Sequence, residues 1–310
     1  MSIKNLVFSG AEVRGISYIG VIKAIEELDI AKSIETILGV SSGAIFALTM
    51  ALGLTSRQLE QIILSISIEH IIKFDTTAIF NITNTYGIDD GNKLTRIFKI
   101  LFKKILNNEN ATFQDLHNHN PDIKLIVLGT NLSKNTSEFF SIEHTPDMPL
   151  HTAIRISISI PICYNAVNYN NSVYIDGAFS NNFPINYFKD DMEHTLGIVI
   201  TESDTIRNIN TIGHYMYRVS ECVMGIMTNH LKQVYNDHII EIIVDYSVLE
   251  MTFDSDIKYR LIRSGYNEFK TKYISRYGES VSNHKTDTLS NNNDVVDMIQ
   301  SLNDEINSHE

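Results

Sequence analysis

Apolar residues recur along the chain in two spacings, as short runs of Ile, Val and Leu and as longer stretches with helical periodicity. The short runs predict strands buried on both faces, at residues 6–9, 36–40, 124–129, 173–175, 196–200 and 239–244. The helical spacing predicts helices at residues 16–28, 44–54, 91–106, 203–237 and 254–277. Because strands and helices alternate up to about residue 200, we expect an α/β fold with a largely parallel sheet.

The composition changes near residue 279, where Ser, Asn and Asp become frequent. From residue 281 onward Lys285 is the single Lys or Arg, whereas the acidic residues are Asp287, Asp294, Asp297, Asp304, Glu305 and Glu310. A segment of this kind has too little apolar surface to build a core. We therefore expect one domain at residues 1–278 and an acidic, mobile tail at residues 279–310, with a short helix near residues 295–302.

The charge balance narrows the class of function. The 310 residues include 25 Lys and Arg against 37 Asp and Glu, which gives a formal net charge of −12. A protein that binds nucleic acid needs a broad basic surface, so we expect no nucleic-acid partner. The two cysteines, Cys163 and Cys222, supply neither a disulfide framework nor a C-x-x-C metal or redox motif.

Membrane contact, if it occurs, is expected to be peripheral. The apolar runs are shorter than the roughly 20 residues that cross a bilayer, and the first residues lack the pattern of a signal peptide. We therefore expect an intracellular protein, either cytoplasmic or peripheral at membranes. The helix predicted at residues 91–106 carries Arg96, Lys99, Lys103 and Lys104 on one side, and this face either docks on anionic lipid or is an ordinary solvated face.

The run Gly39–Gly43, GVSSG, satisfies the pattern G-x-S-x-G. The pattern has a steric reason, because a serine at the apex of a sharp strand-to-helix turn leaves no room for side chains beside it. Many unrelated sequences match it by chance. Here an apolar strand precedes it and an apolar helix follows, so the N-terminus of that helix would direct its N–H groups at an anion forming above Ser41.

A second turn, Ser9–Gly15, lies between the first strand and the first helix. Backbone N–H groups in such a turn can form an oxyanion hole. A phosphate-binding P-loop would need a lysine directly after its last glycine, but Ile16 follows Gly15. A dinucleotide fingerprint would need glycine where Glu12 stands. Both nucleotide-binding interpretations are therefore weak.

A third segment, Val173–Ala178, places Asp176 at the end of an apolar strand. A buried carboxylate is unfavourable unless a hydroxyl, an N–H group or water satisfies it, which is typical of a functional acid. An Asp-Gly pair is also a common turn cap. The segment alone leaves both roles open.

In this order, the three segments resemble the patatin-like phospholipase family. The resemblance covers Leu6 to about Ile200. Leu6–Glu27 is similar to that family's opening strand, oxyanion turn and helix, and Gly39–Gly43 to its nucleophile elbow. Ile154–Pro161 resembles the stretch before its acid, and Asp176–Ala178 its Asp-Gly-Gly/Ala motif. Residues 86–106 and then Thr112–Leu116 also follow the family's middle segment.

The resemblance implies a three-layer sandwich with a mostly parallel central sheet flanked by helices. It further implies a Ser/Asp dyad in which Asp176 acts directly as base toward Ser41. The supporting residues are Gly39 and Gly43 in the elbow, Gly177 and Ala178 in the acid motif, and Gly10, Ala11, Glu12, Arg14 and Gly15 in the oxyanion hole. The implied substrate is a glycerolipid or phospholipid, whose acyl ester is cleaved through an acyl-serine intermediate.

Histidines, metals and cofactors have no part in this expectation. His144 and His151 are candidates for a Ser/His/Asp triad, which the dyad makes unnecessary. Asp89 and Asp90 are adjacent rather than spaced as metal ligands, and with Gly91 they are better interpreted as a helix start. We therefore expect neither a metal nor a cofactor.

The chain departs from the family at the oxyanion turn. The family has three glycines where this chain has Gly10, Ala11 and Glu12. A side chain restricts positive φ, and the Glu12 carboxylate would oppose a developing oxyanion unless Arg14 pairs with it. The alternative function is therefore a protein of low activity with this fold, serving as a lipid-binding or interaction module.

Overall fold

The computed structural model describes residues 2–67, 86–203, 209–246, 254–278 and 292–307. Within these residues the strands are β1 (Asn5–Phe8), β2 (Thr36–Val40), β3 (Gly87–Asp89), β4 (Lys124–Asn131), β5 (Thr136–Ser141), β6 (Ile162–Tyr164), β7 (Val167–Tyr169), β8 (Ser172–Asp176), β9 (Thr195–Glu202) and β10 (Ile239–Val244). The α-helices are α1 (Ser17–Glu27), α2 (Ser42–Ala51), α3 (Ser56–Ser65), α4 (Asn92–Ile105), α5 (Phe113–His119), α6 (Leu150–Ser157), α7 (Ala178–Asn181), α8 (Ile212–Val234), α9 (Ser255–Tyr277) and α10 (Asn292–Asn307).

The central sheet has eight strands, in the order β10-β9-β1-β2-β4-β8-β7, with β5 paired to β4. The five strands from β10 to β4 are mutually parallel. Strands β5 and β8 run antiparallel to β4, and β7 runs antiparallel to β8. The predicted α/β fold with a mostly parallel sheet flanked by helices is thus confirmed.

Strand register brings the two candidate catalytic segments together. Val40, the last residue of β2, pairs with Leu128 of β4. Asp176, the last residue of β8, pairs with Gly129, the next residue along β4. Because β8 runs antiparallel to β2 and β4, its final residue arrives at the point where β2 ends. Ser41 and Asp176 therefore meet, although 135 positions separate them in sequence.

The sheet is buried on both faces, which explains why its strands are almost continuously apolar. Alternate residues of β1 point to opposite sides. Leu6 and Phe8 belong to the main core, whereas Val7 packs in a second cluster with Phe183 and Leu231. Helices α1, α2 and α9 cover the first face, and α8 lies over the second.

Helix α10, which lies within the predicted tail, contributes to the main core. Helix α10 packs against α3 and α4, and it includes the helix predicted near residues 295–302. Its Met298 and Leu302 are buried, whereas Val296 is 61% exposed. The boundary between a domain at residues 1–278 and a mobile tail at residues 279–310 stays a prediction, and residues 279–291 and 308–310 lie outside the described residues. The two buried side chains give α10 a structural role.

Candidate active site

Ser41 occupies the sharp turn between β2 and α2. Its backbone angles, φ 54° and ψ −132°, lie outside the regions that L-residues favour. Glycines leave the space that the turn requires. A Cβ on Gly39 would come 2.5 Å from the carbonyl oxygen of Gly43, and a Cβ on Gly43 would come 2.5 Å from the carbonyl oxygen of Ser9. The flanking glycines thus allow the close approach that this elbow needs.

A direct hydrogen bond joins Ser41 to Asp176, with no histidine between them. The Oγ atom of Ser41 donates to Oδ2 of Asp176 over 2.8 Å. The other carboxylate oxygen accepts the N–H of Ala178, also over 2.8 Å. Asp176 is completely buried, so these two donors supply the polar partners that a buried carboxylate needs.

Burial also changes the acidity of Asp176. Its pKa is raised from 3.8 to about 7, chiefly by desolvation and to a smaller extent by the negative charge of Glu12, while the Ala178 N–H and the Ser41 hydroxyl oppose this shift. A carboxylate with a pKa near neutrality is a much better proton acceptor than an ordinary aspartate. The environment thus favours a base at this position.

The elbow is tied to the neighbouring strand by Ser157. The backbone N–H of Ser41 donates to Oγ of Ser157 over 2.9 Å, and the Ser157 hydroxyl donates to the carbonyl oxygen of Leu128 over 2.7 Å. The side chain of Ser157 is fully buried. It therefore fixes the backbone of Ser41 to β4. The sequence does not indicate this role, although Ser157 lies in the stretch that resembles the family's segment before its acid.

The histidines that the sequence offered as triad members make bonds elsewhere. His144 Nδ1 lies 3.0 Å from Ser141 Oγ, and His151 Nε2 lies 3.3 Å from the Asn110 side-chain oxygen. Asp191, Glu193 and His194 could together hold a metal ion. That group lies beside the first residue of β9, at the amino ends of the parallel strands, whereas Ser41 follows the carboxyl end of β2.

The N–H groups of the oxyanion turn have acceptors in this structure. The Gly10 N–H donates to the carbonyl oxygen of Asn182 over 3.1 Å. The Ala11 N–H donates to Oγ of Ser42 over 3.1 Å. Gly15 packs against the same serine, since a Cβ there would come 2.7 Å from its Oγ. Of the five predicted oxyanion residues, Gly15 thus contacts α2, and the other four line the cavity above Ser41.

This cavity has a volume of about 250 Å³ and opens above the dyad. Ser41, Asp176, Gly10 and Asn182 form part of its wall. Helix α8 forms another part, through Arg218, Glu221, Met224, Gly225, Thr228 and Asn229. The sequence predicted α8 as a helix but gave no signal that it faces the site, because no local motif marks that contact.

Sequence comparison decides the family. Residues 6–189, more than half of the chain, match the patatin-like phospholipase family. The chain belongs to this family. The resemblance inferred from the motifs is therefore confirmed, and the match spans the elbow, the oxyanion turn and the acid motif.

Two viral proteins and one bacterial structure resemble this patatin-like chain. Uncharacterized protein R571 of Acanthamoeba polyphaga mimivirus is 29% identical over 284 residues, which are 88% of this chain and 94% of the relative. Probable lipid hydrolase 463L of invertebrate iridescent virus 6 is 32% identical over 182 residues, 59% of this chain and 62% of the relative. VipD from Legionella pneumophila has a TM-score of 0.66 at 17% identity, covers 89% of this chain and 67% of its own, and shows the fold alone.

Glu12, where this patatin-like chain departs from the family pattern, is held by several partners. Its φ is 53°, the left-handed region in which the family has glycine. Its carboxylate lies 3.1 Å from Nη2 of Arg14 and accepts a hydrogen bond of 3.0 Å from the hydroxyl of Tyr217 on α8. Arg14 also pairs with Glu202, over 3.0 Å. The predicted pairing of Glu12 with Arg14 is thus present.

Cys163 is a poor candidate for a nucleophile. Its side chain is partly buried, and burial together with the charge of Glu12 raises the pKa of its thiol to about 11. A thiol with so high a pKa carries little thiolate at neutral pH. Its role is therefore better explained by packing.

Proposed function

We propose that this chain is a lipid acyl hydrolase of phospholipase A type, which cleaves acyl esters of glycerolipids through an acyl-serine intermediate. The observation that carries the proposal is the hydrogen bond of 2.8 Å between Ser41 Oγ and Asp176 Oδ2, formed at a strained elbow below a cavity. Membership of the patatin-like family and the name of the 32% identical relative support the lipid substrate.

In the acylation step, Ser41 Oγ attacks the carbonyl carbon of the ester while Asp176 takes the hydroxyl proton. The tetrahedral intermediate then collapses, the bond to the leaving oxygen breaks, and Asp176 returns the proton to that oxygen. Water follows the same route in deacylation, with Asp176 accepting its proton and Ser41 recovering it as the fatty acid leaves. No external oxidant or reductant enters this cycle.

The negative charge of the tetrahedral intermediate needs donors nearby. The N-terminus of α2 points at Ser41 and supplies the positive end of a helix dipole. The Ala11 N–H becomes available when the Ser42 hydroxyl, its present acceptor, rotates away and the substrate oxygen replaces it. A donor of this kind contributes roughly a hundredfold or more to the rate.

The first test compares matched variants. Ser41→Ala and Asp176→Asn should lower hydrolysis of a short-chain nitrophenyl ester by about four orders of magnitude or more. Ser137→Ala and Asp122→Asn, which change exposed residues of the same types, should retain full activity. Wild-type rates in either dyad variant would overturn the assignment.

The second candidate is a protein of low activity that binds lipid. The observations that favour it are the acceptors already bound to the Gly10 and Ala11 N–H groups and the carboxylate of Glu12 in the turn. A fluorophosphonate probe separates the two candidates. Stoichiometric labelling of Ser41 with fast ester turnover supports the hydrolase, whereas labelling without turnover supports the binding module.

A further inference from the structure

Helix α8 carries an apolar stripe on the side that faces solvent. The stripe consists of Ile212, Tyr215, Met216, Val219, Val223 and Ile226. These residues follow one another at intervals of three and four, apart from one adjacent pair, and thus lie on one face of the helix. Ile212 and Ile226, near the two ends of the stripe, are 76% and 75% exposed.

The opposite side of α8 faces the catalytic cavity and carries polar groups. Glu221 and Thr228 line the cavity, and Tyr217 donates to Glu12. An ordinary surface helix has the reverse arrangement, with its apolar stripe turned toward the protein. The exposed stripe therefore has no role in the core, and a contiguous apolar face turned toward solvent is a candidate interaction surface.

We propose that the apolar stripe of α8 docks on the surface of a zwitterionic lipid bilayer and brings the cavity above Ser41 to the membrane. The proposal rests on the proposed function, since it names the surface through which that site would meet its substrate. An amphipathic helix in this position lies in the interface plane with its apolar side chains about 5–10 Å deep.

The charges of the stripe and of the whole chain favour docking on a zwitterionic bilayer over docking on an anionic one. The six residues of the stripe carry no ionisable group other than the Tyr215 hydroxyl, so the stripe offers no cation to anionic head groups. The net charge of the chain, −12, also opposes approach to an anionic surface. The free energy of docking must therefore come from burial of apolar side chains.

The area of the stripe argues against a second copy of the chain as the occupant. A helical face of this length, about 20–30 Å long and about 10 Å wide, offers roughly 200–300 Å². A stable dimer buries about 800 Å² on each partner. A bilayer needs no matching protein surface of a minimum area. A stripe of this size can therefore dock on a bilayer by inserting its apolar side chains.

Docking through α8 has a direct consequence for the substrate. Because the helix separates the stripe from the cavity by its own diameter, about 10 Å, a lipid can move from the bilayer to Ser41 over a short path. The long acyl chains then avoid exposure to water during transfer, which would otherwise be unfavourable.

The absence of tryptophan from the sequence provides a clean probe. In the Ser41→Ala background, Ile226→Trp introduces a single tryptophan on the stripe. Tyr259→Trp introduces one on α9, at a side chain that is 51% exposed and lies across the sheet from α8. We expect phosphatidylcholine vesicles to shift the emission of the first variant to the blue, with quenching by brominated acyl chains, and to leave the second unchanged.

Charge substitutions provide the functional readout. Val219→Asp and Ile226→Asp should each weaken vesicle binding at least tenfold and reduce hydrolysis of vesicular phosphatidylcholine to the same extent. Both should leave hydrolysis of a water-soluble short-chain ester unchanged. Tyr259→Asp is the matched control and should behave as the parent protein in all three measurements.

Other outcomes would overturn the proposal. An unchanged emission of the Ile226→Trp variant with vesicles, or full vesicle binding by Ile226→Asp, would show that α8 does not dock on lipid. A blue shift that depends on protein concentration without vesicles, accompanied by a dimeric mass, would identify a second copy instead. If the soluble ester is not hydrolysed by the parent protein, the proposed function fails, while vesicle binding in the Ser41→Ala background still tests the docking surface.

Discussion

In the proposed mechanism, the ionisation of Asp176 links the chemistry of the site to pH. A base must be deprotonated to accept the Ser41 proton, and desolvation holds the pKa of Asp176 at about 7. We therefore expect ester hydrolysis to rise as the pH increases through about 7. This rise is the acid limb of the pH–rate profile, and it can be measured from about pH 5 to about pH 9 with a soluble ester. A flat profile across this range would contradict the assignment of Asp176 as base.

The charge of Glu12 should shift the acid limb of the pH–rate profile. Its negative charge raises the pKa of Asp176, so Glu12→Gln should lower that pKa and move the acid limb to lower pH. A movement of roughly half a pH unit would increase the relative rate on the acid side about threefold. Glu193→Gln, a change at an exposed residue of the same type, should leave the limb in place. The reverse movement in Glu12→Gln would refute this electrostatic coupling.

Asp176 should also make stability depend on pH. Its pKa in the folded protein, about 7, lies above the ordinary value of 3.8. The contribution of this group to the free energy of unfolding is therefore fully present below about pH 4 and is lost as the pH rises through about 7. Asp176→Asn removes the titration, so its melting temperature relative to the parent should rise between these limits. Thermal melts of both proteins at several pH values measure the difference, and a constant difference would contradict the shifted pKa.

The sequence pointed to candidate site residues whose signal lies in their immediate neighbours along the chain. Ser41 is visible because Gly39 and Gly43 are part of one local turn, and Asp176 because it ends an apolar strand before a glycine. Ser157 and Tyr217 were not identified, since their contacts with Ser41 and Glu12 bridge 116 and 205 positions. Only the fold specifies which distant polar groups complete a site.

Helix α10 is an element whose contribution to stability can be measured. Its Met298 and Leu302 are buried in the main core against α3 and α4. Truncation after Gly278 should therefore lower the melting temperature by several degrees, since each such side chain contributes about 1.5–3 kcal/mol when buried. Leu302→Ala should reproduce much of the loss, and Val296→Ala, at an exposed position of the same helix, should not. A truncated protein as stable as the parent would show that α10 adds nothing to the core.

Elements with strong periodicity were predicted closely from the sequence. Strands β2 and β10 begin and end where the apolar runs predicted, and α4 and α9 agree with the predicted helices to within one residue at each end. Strands β5 and β7 were missed. β5 mixes polar and apolar residues because it is half exposed, and β7 has only three residues. Their pairing with β4 and β8 depends on tertiary contacts that a short window of sequence does not contain.

The molecule as a whole combines a negative net charge with exposed apolar side chains on α8. Among the described residues no helix is long and apolar enough to cross a membrane. The basic face predicted on α4 and the apolar stripe of α8 are thus alternative routes to a lipid surface, and they respond to membrane charge in opposite ways. The net charge of −12 affects docking through either helix, because it repels anionic membranes. Salt screens this repulsion over about 8 Å at physiological ionic strength.

This difference leads to a prediction about lipid charge. If α8 is the docking element, vesicles that contain phosphatidylglycerol should bind the Ser41→Ala protein more weakly than pure phosphatidylcholine vesicles at low salt, because the −12 charge is repelled. Added salt should screen that repulsion and bring the two affinities together, while binding to pure phosphatidylcholine should hardly change because apolar burial is insensitive to moderate salt. Sedimentation with vesicles at low and high salt measures all four affinities. Tighter binding to the anionic vesicles, lost on adding salt and abolished by Lys103→Gln with Lys104→Gln, would instead identify the basic face of α4 as the surface that meets the membrane.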